Sequence, residues 1–370
     1  MNATIATFLC VDDNAVTLSQ YPNLGTRYSP NERRSAYWKN ILVSCATARR
    51  CVPNARLQVF TNDTADADIH GKSLHALLDE LEITRLTWPF VHYLPPHGVA
   101  KSYRNIFYRF DIVHNLAKDG NRTDTPVLLI DSDCLWTRPV SNLAERIPHQ
   151  GLWLYSPYGE RPPHLKHPHK LSRADLGAFY RQLNPAYPEP FPTYFGGEFI
   201  GGRGAAWQAL QSGLQDIWLE IFKTSQQQPM RLPNGANIFD NDEYILNYVY
   251  NAHQIPITLA NDFMRRVITL EGARTAKRGD TEFSLWHLPL EKTRGMMLLL
   301  LQVMDAHSAF WNTNLNEFGT YLGQYVGIPK RVYDIPRTPR QRLERFMRTP
   351  LHWLRERYLR QRAQLAQRKA

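Results

Sequence analysis

The chain has 370 residues, 43% of them hydrophobic and 21% charged, room for one large or two ordinary domains of ordinary globular composition. No apolar run approaches the roughly 18 to 20 residues that a membrane span needs; the greasiest is Met296-Met-Leu-Leu-Leu-Leu-Gln-Val-Met304. The net charge of +10 is concentrated at one end: between Arg337 and Ala370, ten arginines and one lysine face only Glu344 and Glu356, so the basic balance is a property of the tail.

In chain order, Thr4 to Val11 is a short apolar run ending in Asp12-Asp-Asn14, with no basic leader before it, and reads as a first strand rather than a signal peptide. Ser29-Pro-Asn-Glu32 is a helix start with proline at the first helical position, followed by Tyr37, Ile41, Cys45 and Ala48 on one face. Leu57-Gln-Val-Phe60 alternates like a strand. Leu74, Leu77, Leu78 and Leu81 mark a second helix and Ile83 to Phe90 a third strand. Lys101 to Ala117 carries Ile106, Phe110 and Val113 on one face, and the run Val127-Leu-Leu-Ile130 follows. Four strand–helix alternations predict an α/β domain with a mainly parallel sheet, and the unbroken Val127–Ile130 run suits a central strand buried on both faces.

Beyond Leu152 to Ser156 the alternation breaks. Two Pro-rich stretches, Arg161 to His169 and Asn184 to Pro192, read as loops; His164, His167 and His169 lie among prolines and lysines that spoil metal geometry, so a surface loop is expected there. Arg203 to Phe222 and Asp242 to Tyr250 read as helices and Ser284 to His287 as a closing strand. Cys10, Cys45, Cys51 and Cys134 form no Cys-x-x-Cys pair and are expected to be buried free thiols in a reducing compartment. The sequon Asn121-Arg-Thr123 is expected to be accidental.

The chemistry concentrates in five clusters. In Asp131-Ser-Asp133 two carboxylates end a buried strand; the pair is either a solvated strand end or a site for a cation that cancels their repulsion. Two carboxylates at i and i+2 at such a turn can share one divalent ion, whose open positions accept the phosphates of a nucleotide diphosphate. In open α/β sheets ligands bind beyond the carboxyl ends of the strands, where Asp12-Asp-Asn14 also falls. Tyr194-Phe-Gly-Gly-Glu-Phe-Ile-Gly-Gly202 is glycine-rich, Asn241-Asp-Glu-Tyr-Ile-Leu-Asn247 opens a helix with two acids, and Ser284-Leu-Trp-His287 ends a strand in histidine with Lys292 five residues on. Taken singly, these suit a tight turn, a capped helix start and a satisfied core histidine.

Together and in this order they resemble the retaining glycosyltransferases of the GT-A fold. The likeness is to the family of glycogenin and the lipooligosaccharide galactosyltransferases, and to that of the histo-blood-group A and B transferases. It spans Thr4 to Lys292. It implies a Rossmann-like nucleotide-sugar-binding catalytic domain over residues 1–292, a helical extension over 293–336 and a basic amphipathic tail over 337–370. By position, Asp12 and Asn14 would contact the donor's uridine, and Arg109 of Tyr108-Arg-Phe110 would stand on the helix before the metal strand. Asp133 would be the main ligand of manganese (or magnesium), Asp131 would share the metal and a ribose hydroxyl, and His287 would be a third ligand whose imidazole favours manganese. Lys292 would hold the diphosphate, although the family's Gly and Lys-Pro-Trp are missing around it. Gly196 and Gly197 would let the sugar lie against the backbone, Asp242 would bind sugar hydroxyls, and Glu243 would face the anomeric carbon opposite the leaving group. There it acts as nucleophile, by analogy with retaining glycosidases, or stabilises the cationic centre while the acceptor enters on the front face.

The implied activity is transfer of a hexose from a UDP-sugar to a hydroxyl of a glycan or glycolipid. Basic residues interleaved with Phe346, Trp353, Leu354 and Tyr358 in the tail suit an anionic membrane surface. The expected location is therefore cytoplasmic, with peripheral attachment to the inner face of the cell membrane; the alternative is a tail packed on the enzyme, and nucleic acid is not expected as a partner. Two other classes compete: a phosphohydrolase using the Asp-x-Asp pair, and a non-catalytic protein that binds sugar nucleotides or membrane. The haloacid-dehalogenase pattern places its pair on the first strand before a small dipeptide, whereas here Cys134-Leu-Trp136 follows a fourth strand.

Overall fold

The computed structural model describes residues 2–12, 24, 28–96, 104–119, 124–159, 161–166, 170–227, 230–253, 255–270 and 273–333. Asn14, the sequon, His167, His169 and the tail from 337 lie outside these residues.

In chain order the elements are β1 (Thr4–Leu9), α1 (Pro30–Cys51), β2 (Arg56–Thr61), β3 (Asp68–Ile69), β4 (Lys72–Ser73), α2 (Leu74–Glu80), β5 (Ile83–Thr87), α3 (Tyr108–Asp119), β6 (Val127–Ile130), β7 (Cys134–Trp136), α4 (Leu143–Arg146) and β8 (Leu152–Leu154). Then come α5 (Arg173–Leu183), β9 (Phe199–Gly202), α6 (Gly204–Gln227), α7 (Asp242–Ala252), β10 (Ile257–Leu259), β11 (Met264–Arg266), β12 (Leu285–His287), α8 (Gly295–Met304), α9 (Ala309–Asn312) and α10 (Phe318–Val326). Local chemistry sets several of the boundaries. Ser29 and Glu32 form a reciprocal capping box ahead of Pro30 and start α1. Gly327 adopts a left-handed conformation after α10, which glycine does without a Cβ penalty.

The main sheet has seven strands in the order β10-β8-β9-β6-β1-β2-β5. β1 pairs in parallel with β2 and β6, β2 with β5, and β10 with β8, while β9 runs antiparallel to β6 and β8. This is the mixed α/β architecture expected from the alternating pattern. Successive strand residues serve opposite faces: Ile5, Leu128 and Ile130 join the apolar cluster under α1, α2 and α8, whereas Ala6, Val127 and Leu129 join the one formed with α3, α5, α6 and α7. A sheet covered on both sides has no solvated face, hence the unbroken apolar run of β6. α8 to α10 bury Met296, Leu299, Leu300, Phe310, Phe318 and Leu322 in the first of these clusters. Arg50 of α1 fastens them, donating to the Phe310 and Thr313 carbonyls with its guanidinium 4.3 Å from the Phe318 ring centroid.

The elements differ from the sequence expectation in a few places. The third strand stops at Thr87 rather than Phe90, and α3 begins at Tyr108 after a 3-10 turn over Arg104–Phe107. A small second sheet, β11-β12-β7, was not anticipated. Its strands are three residues each; β12 falls within the expected strand Ser284 to His287, while β7 and β11 are too short for any periodicity to register.

Candidate functional site

The carboxyl ends of β1 and β6 open on a cavity of about 560 Å³, lined by Phe8, Leu9 and Cys10 on one side and by Asp131, Ser132 and Asp133 on the other. Asp131 to Asp133 form the turn between β6 and β7. The Asp131 amide donates to the Glu198 carbonyl and the Cys134 amide to the Asp131 carbonyl, so the turn is tied to the start of β9. β7 pairs antiparallel with β12 in a register that sets Cys134 opposite His287, and the Leu288 amide donates to the Asp133 carbonyl. Sheet register thereby delivers His287, 154 positions on from Asp133, to the aspartate turn. His287 Nε2 lies 3.4 Å from Asp133 Oδ2 and 3.7 Å from Asp131 Oδ2.

The two aspartates are offset by protein cations as well. Arg109, on α3 and almost wholly buried, pairs with Asp131 and with Asp242, and its guanidinium carbon sits 5.1 Å from the Phe8 ring centroid. Lys292 pairs with Asp133, and its carbonyl is anchored by Asn40 of α1 at 3.1 Å. Burial acts to raise the Asp133 carboxyl, but Lys292 and His287 hold it well below the usual carboxylate range. Burial lowers the His287 imidazole, and Asp133 and Glu198 outweigh that, leaving it raised to about 9.

Asp242 and Glu243 are the first residues of α7, behind the Asn241 cap whose side chain accepts from the Glu243 amide. On the same helix, Asn247 and Asn251 grip the extended segment before β9. Asn247 brackets the amide and carbonyl of Phe195, and Asn251 those of Thr193. This grip brings the Tyr194 hydroxyl and the Gly197 amide (3.0 Å) onto the Glu243 carboxylate as donors. Arg266 Nη2 lies 3.2 Å from Glu243 Oε1 and also binds Glu198, with Nε donating to Oε1 at 2.7 Å. The glycines make this possible. A Cβ on Gly197 would lie 2.2 Å from Arg109 Nη1, and one on Gly196 would lie 2.0 Å from Glu198 Oε2. Whatever a sugar requires, these two positions must be small to admit their own protein neighbours.

Burial raises the Asp242 carboxyl; Arg109 opposes, Glu243 and Asp131 add to the rise, and the group ends at about 7. The folded protein therefore holds a proton here between about pH 4 and 7 that the unfolded chain has lost. Stability falls as pH rises through that window, and the cost is complete above 7. Asp242→Asn cannot ionise and is expected to escape that cost. Its melting temperature should exceed the unsubstituted protein's by about 2–5 °C at pH 8, with the gain shrinking toward zero as pH approaches 4. Calorimetry of both proteins across that range checks it; a gain independent of pH would show that Asp242 is not the titrating group.

Several nominated residues share the cavity wall: Arg109, Asp131, Asp133, Gly197, Asp242, Glu243, His287 and Lys292. Gly196 stands behind the wall, and Asp12 falls two residues past Cys10 without lining the cavity. The sequence reading passed over Glu198 and Arg266. Glu198 was visible as the one charged residue in the glycine-rich stretch, whereas Arg266, in a three-residue strand, carried no signal.

One ligand atom from each of Asp131, Asp133 and His287 lies within 4.8 Å of the others. Asp133 Oδ1 is buried with no hydrogen-bond partner among the described residues. Two carboxylates, an imidazole and an unsatisfied buried oxygen fit a divalent cation of the manganese or magnesium type. The Lys292 ammonium also supplies positive charge at Asp133.

Fold and site together define an α/β protein with a three-ligand candidate cation site at the carboxyl rim of its sheet. No protein-family model matches the sequence, and no curated protein does. Among solved structures it is similar to the galactosyltransferase LgtC in complex with donor and acceptor sugar analogues, at 13% identity and a TM-score of 0.42, covering 88% of this chain and 95% of that one. It is likewise similar to an active-site mutant of LgtC, at 11% identity and a TM-score of 0.42, covering 92% and 99%. Among the described residues no helix is long and apolar enough to cross a membrane.

Proposed function

We propose that the chain is a metal-dependent, retaining glycosyltransferase of the GT-A fold that moves a hexose from a UDP-sugar to an acceptor hydroxyl. The observation that carries this reading is the convergence on one cavity of the Asp131–Asp133–His287 cluster with Lys292 on one wall and the Asp242–Glu243 helix start on another. Asp131, Asp133 and His287 would hold manganese or magnesium, which when bound supplies positive charge for a diphosphate leaving group. Lys292 is placed to turn from Asp133 to that diphosphate. Arg109 keeps Asp131 and Asp242 oriented on either side of it. Asp242 holds sugar hydroxyls, and Glu243, fixed by Tyr194, Gly197 and Arg266, presents a stationary negative charge to the anomeric carbon.

Donors from Tyr194, Gly197 and Arg266 already occupy the Glu243 oxygens, which favours front-face displacement over attack by this carboxylate. Leu9, Tyr155 and Tyr158 give the cavity apolar walls beside these polar groups. The basic, aromatic tail supports a lipid-linked acceptor at an anionic membrane surface. The test is thermal-shift screening of nucleotide sugars with and without manganese. One UDP-sugar should shift the midpoint more than UDP does, and only with the cation present. Equal shifts from UDP, ADP and inorganic phosphate irrespective of manganese, or phosphate release from simple esters, would replace this reading with binding alone or with phosphohydrolysis.

A further inference from the structure

Behind the aspartate turn, Glu198 makes a contact for which neither the cation nor the sugar alone accounts. Its carboxylate is 1% exposed and lies between two cationic groups that are sheet neighbours, since β11 and β12 pair in a register setting Arg266 beside His287. Glu198 Oε1 is 3.3 Å from His287 Nδ1, within ion-pair distance but out of line for a hydrogen bond, and 2.7 Å from Arg266 Nε. The imidazole therefore faces two ways: Nε2 toward Asp133 and Asp131, Nδ1 toward Glu198. The missing side chain of Gly196 leaves the space in which the Glu198–Arg266 pair sits.

We propose that Glu198 is a positioning residue that orients His287 toward the cation site and, through Arg266, joins that site to Glu243. The proposal rests on the reading of Asp131, Asp133 and His287 as a cation site. A histidine that ligates through one nitrogen needs an acceptor for the N–H of the other, which fixes its tautomer and ring plane and raises its basicity; loss of that acceptor typically costs 10–100-fold in metal affinity. Arg266 extends the arrangement, because the guanidinium that locks Glu198 also lies 3.2 Å from Glu243 Oε1. One buried carboxylate thus sets the spacing between the cation ligands and the acid facing the sugar.

The test is Mn²⁺ and Mg²⁺ binding to the full-length chain, each ion alone, by isothermal titration calorimetry. Glu198→Met, which removes the acceptor and keeps much of the volume, should bind Mn²⁺ about 10–100-fold more weakly than the unsubstituted protein. The loss for Mg²⁺ should be smaller, because magnesium depends less on the imidazole. Glu198→Met leaves Arg266 short of a partner, so the double variant Glu198→Met/Arg266→Met separates fold from site. Its melting temperature should recover while the Mn²⁺ defect remains. Unchanged Mn²⁺ affinity in Glu198→Met overturns the proposal, as does an equal loss for both ions that the double variant reverses. Failure of the unsubstituted protein to bind Mn²⁺ overturns the cation reading itself, and this inference with it.

Discussion

Asp133→Asn is expected to lower UDP-sugar hydrolysis and transfer about a thousandfold or more while the protein stays folded. The carboxylate is fully buried, its Oδ2 faces both Lys292 and His287, and its Oδ1 has no hydrogen-bond partner among the described residues. Asparagine keeps the shape and an oxygen for Lys292 but removes the charge on which cation binding depends. Lewis-acid stabilisation of a leaving group is worth several kcal/mol, and each ~1.4 kcal/mol is a factor of ten in rate, which sets the thousandfold scale. Initial rates of UDP release at saturating Mn²⁺, beside circular-dichroism melting curves, decide the matter. A variant within tenfold of the unsubstituted enzyme would remove Asp133 from the reaction. Turnover that survives exhaustive chelation would remove the cation.

The second large effect is at Glu243. In the proposed reaction Glu243→Gln should lower kcat by about 10²–10³ with little change in the donor KM, because it would delete a charge aimed at the transition state while keeping the contacts that bind the ground state. More diagnostic is Glu243→Ala in the presence of azide. A nucleophilic carboxylate leaves room for a small anion to attack the vacated face, restoring turnover and yielding a glycosyl azide of inverted configuration. In this protein Tyr194, Gly197 and Arg266 aim their donors at that carboxylate, so no such rescue is expected. Recovery of the inverted azide would establish attack by Glu243 and reject the front-face route.

The residues behind these two effects differ in how plainly the sequence exposed them. β1, α1, β2, α2, β5 and β6 were readable because each is local: a capping box, a stripe at helical spacing, an apolar run of strand length. The acids at Asp131, Asp133, Asp242 and Glu243 were readable because charge at a strand end or a helix start is conspicuous against apolar neighbours. Glu198 showed only as the charged residue of a glycine-rich stretch, which signals a loop until the half-buried Arg266 is found against it. The antiparallel insertion of β9 between β6 and β8 was equally illegible, because strand direction depends on the path of the whole connection.

The order of elements, the apolar run that had to be buried on both sides and the set of acids available for chemistry were determined by the sequence alone, through propensity and periodicity acting over a few residues. Which acids meet which cations was decided only by the tertiary structure. Arg109 shared between Asp131 and Asp242, Lys292 against Asp133, and Arg266 between Glu198 and Glu243 span 22 to 159 positions along the chain. Pairings at that separation are set by sheet register and by helices closing over a common core, and a linear pattern of residues does not encode either.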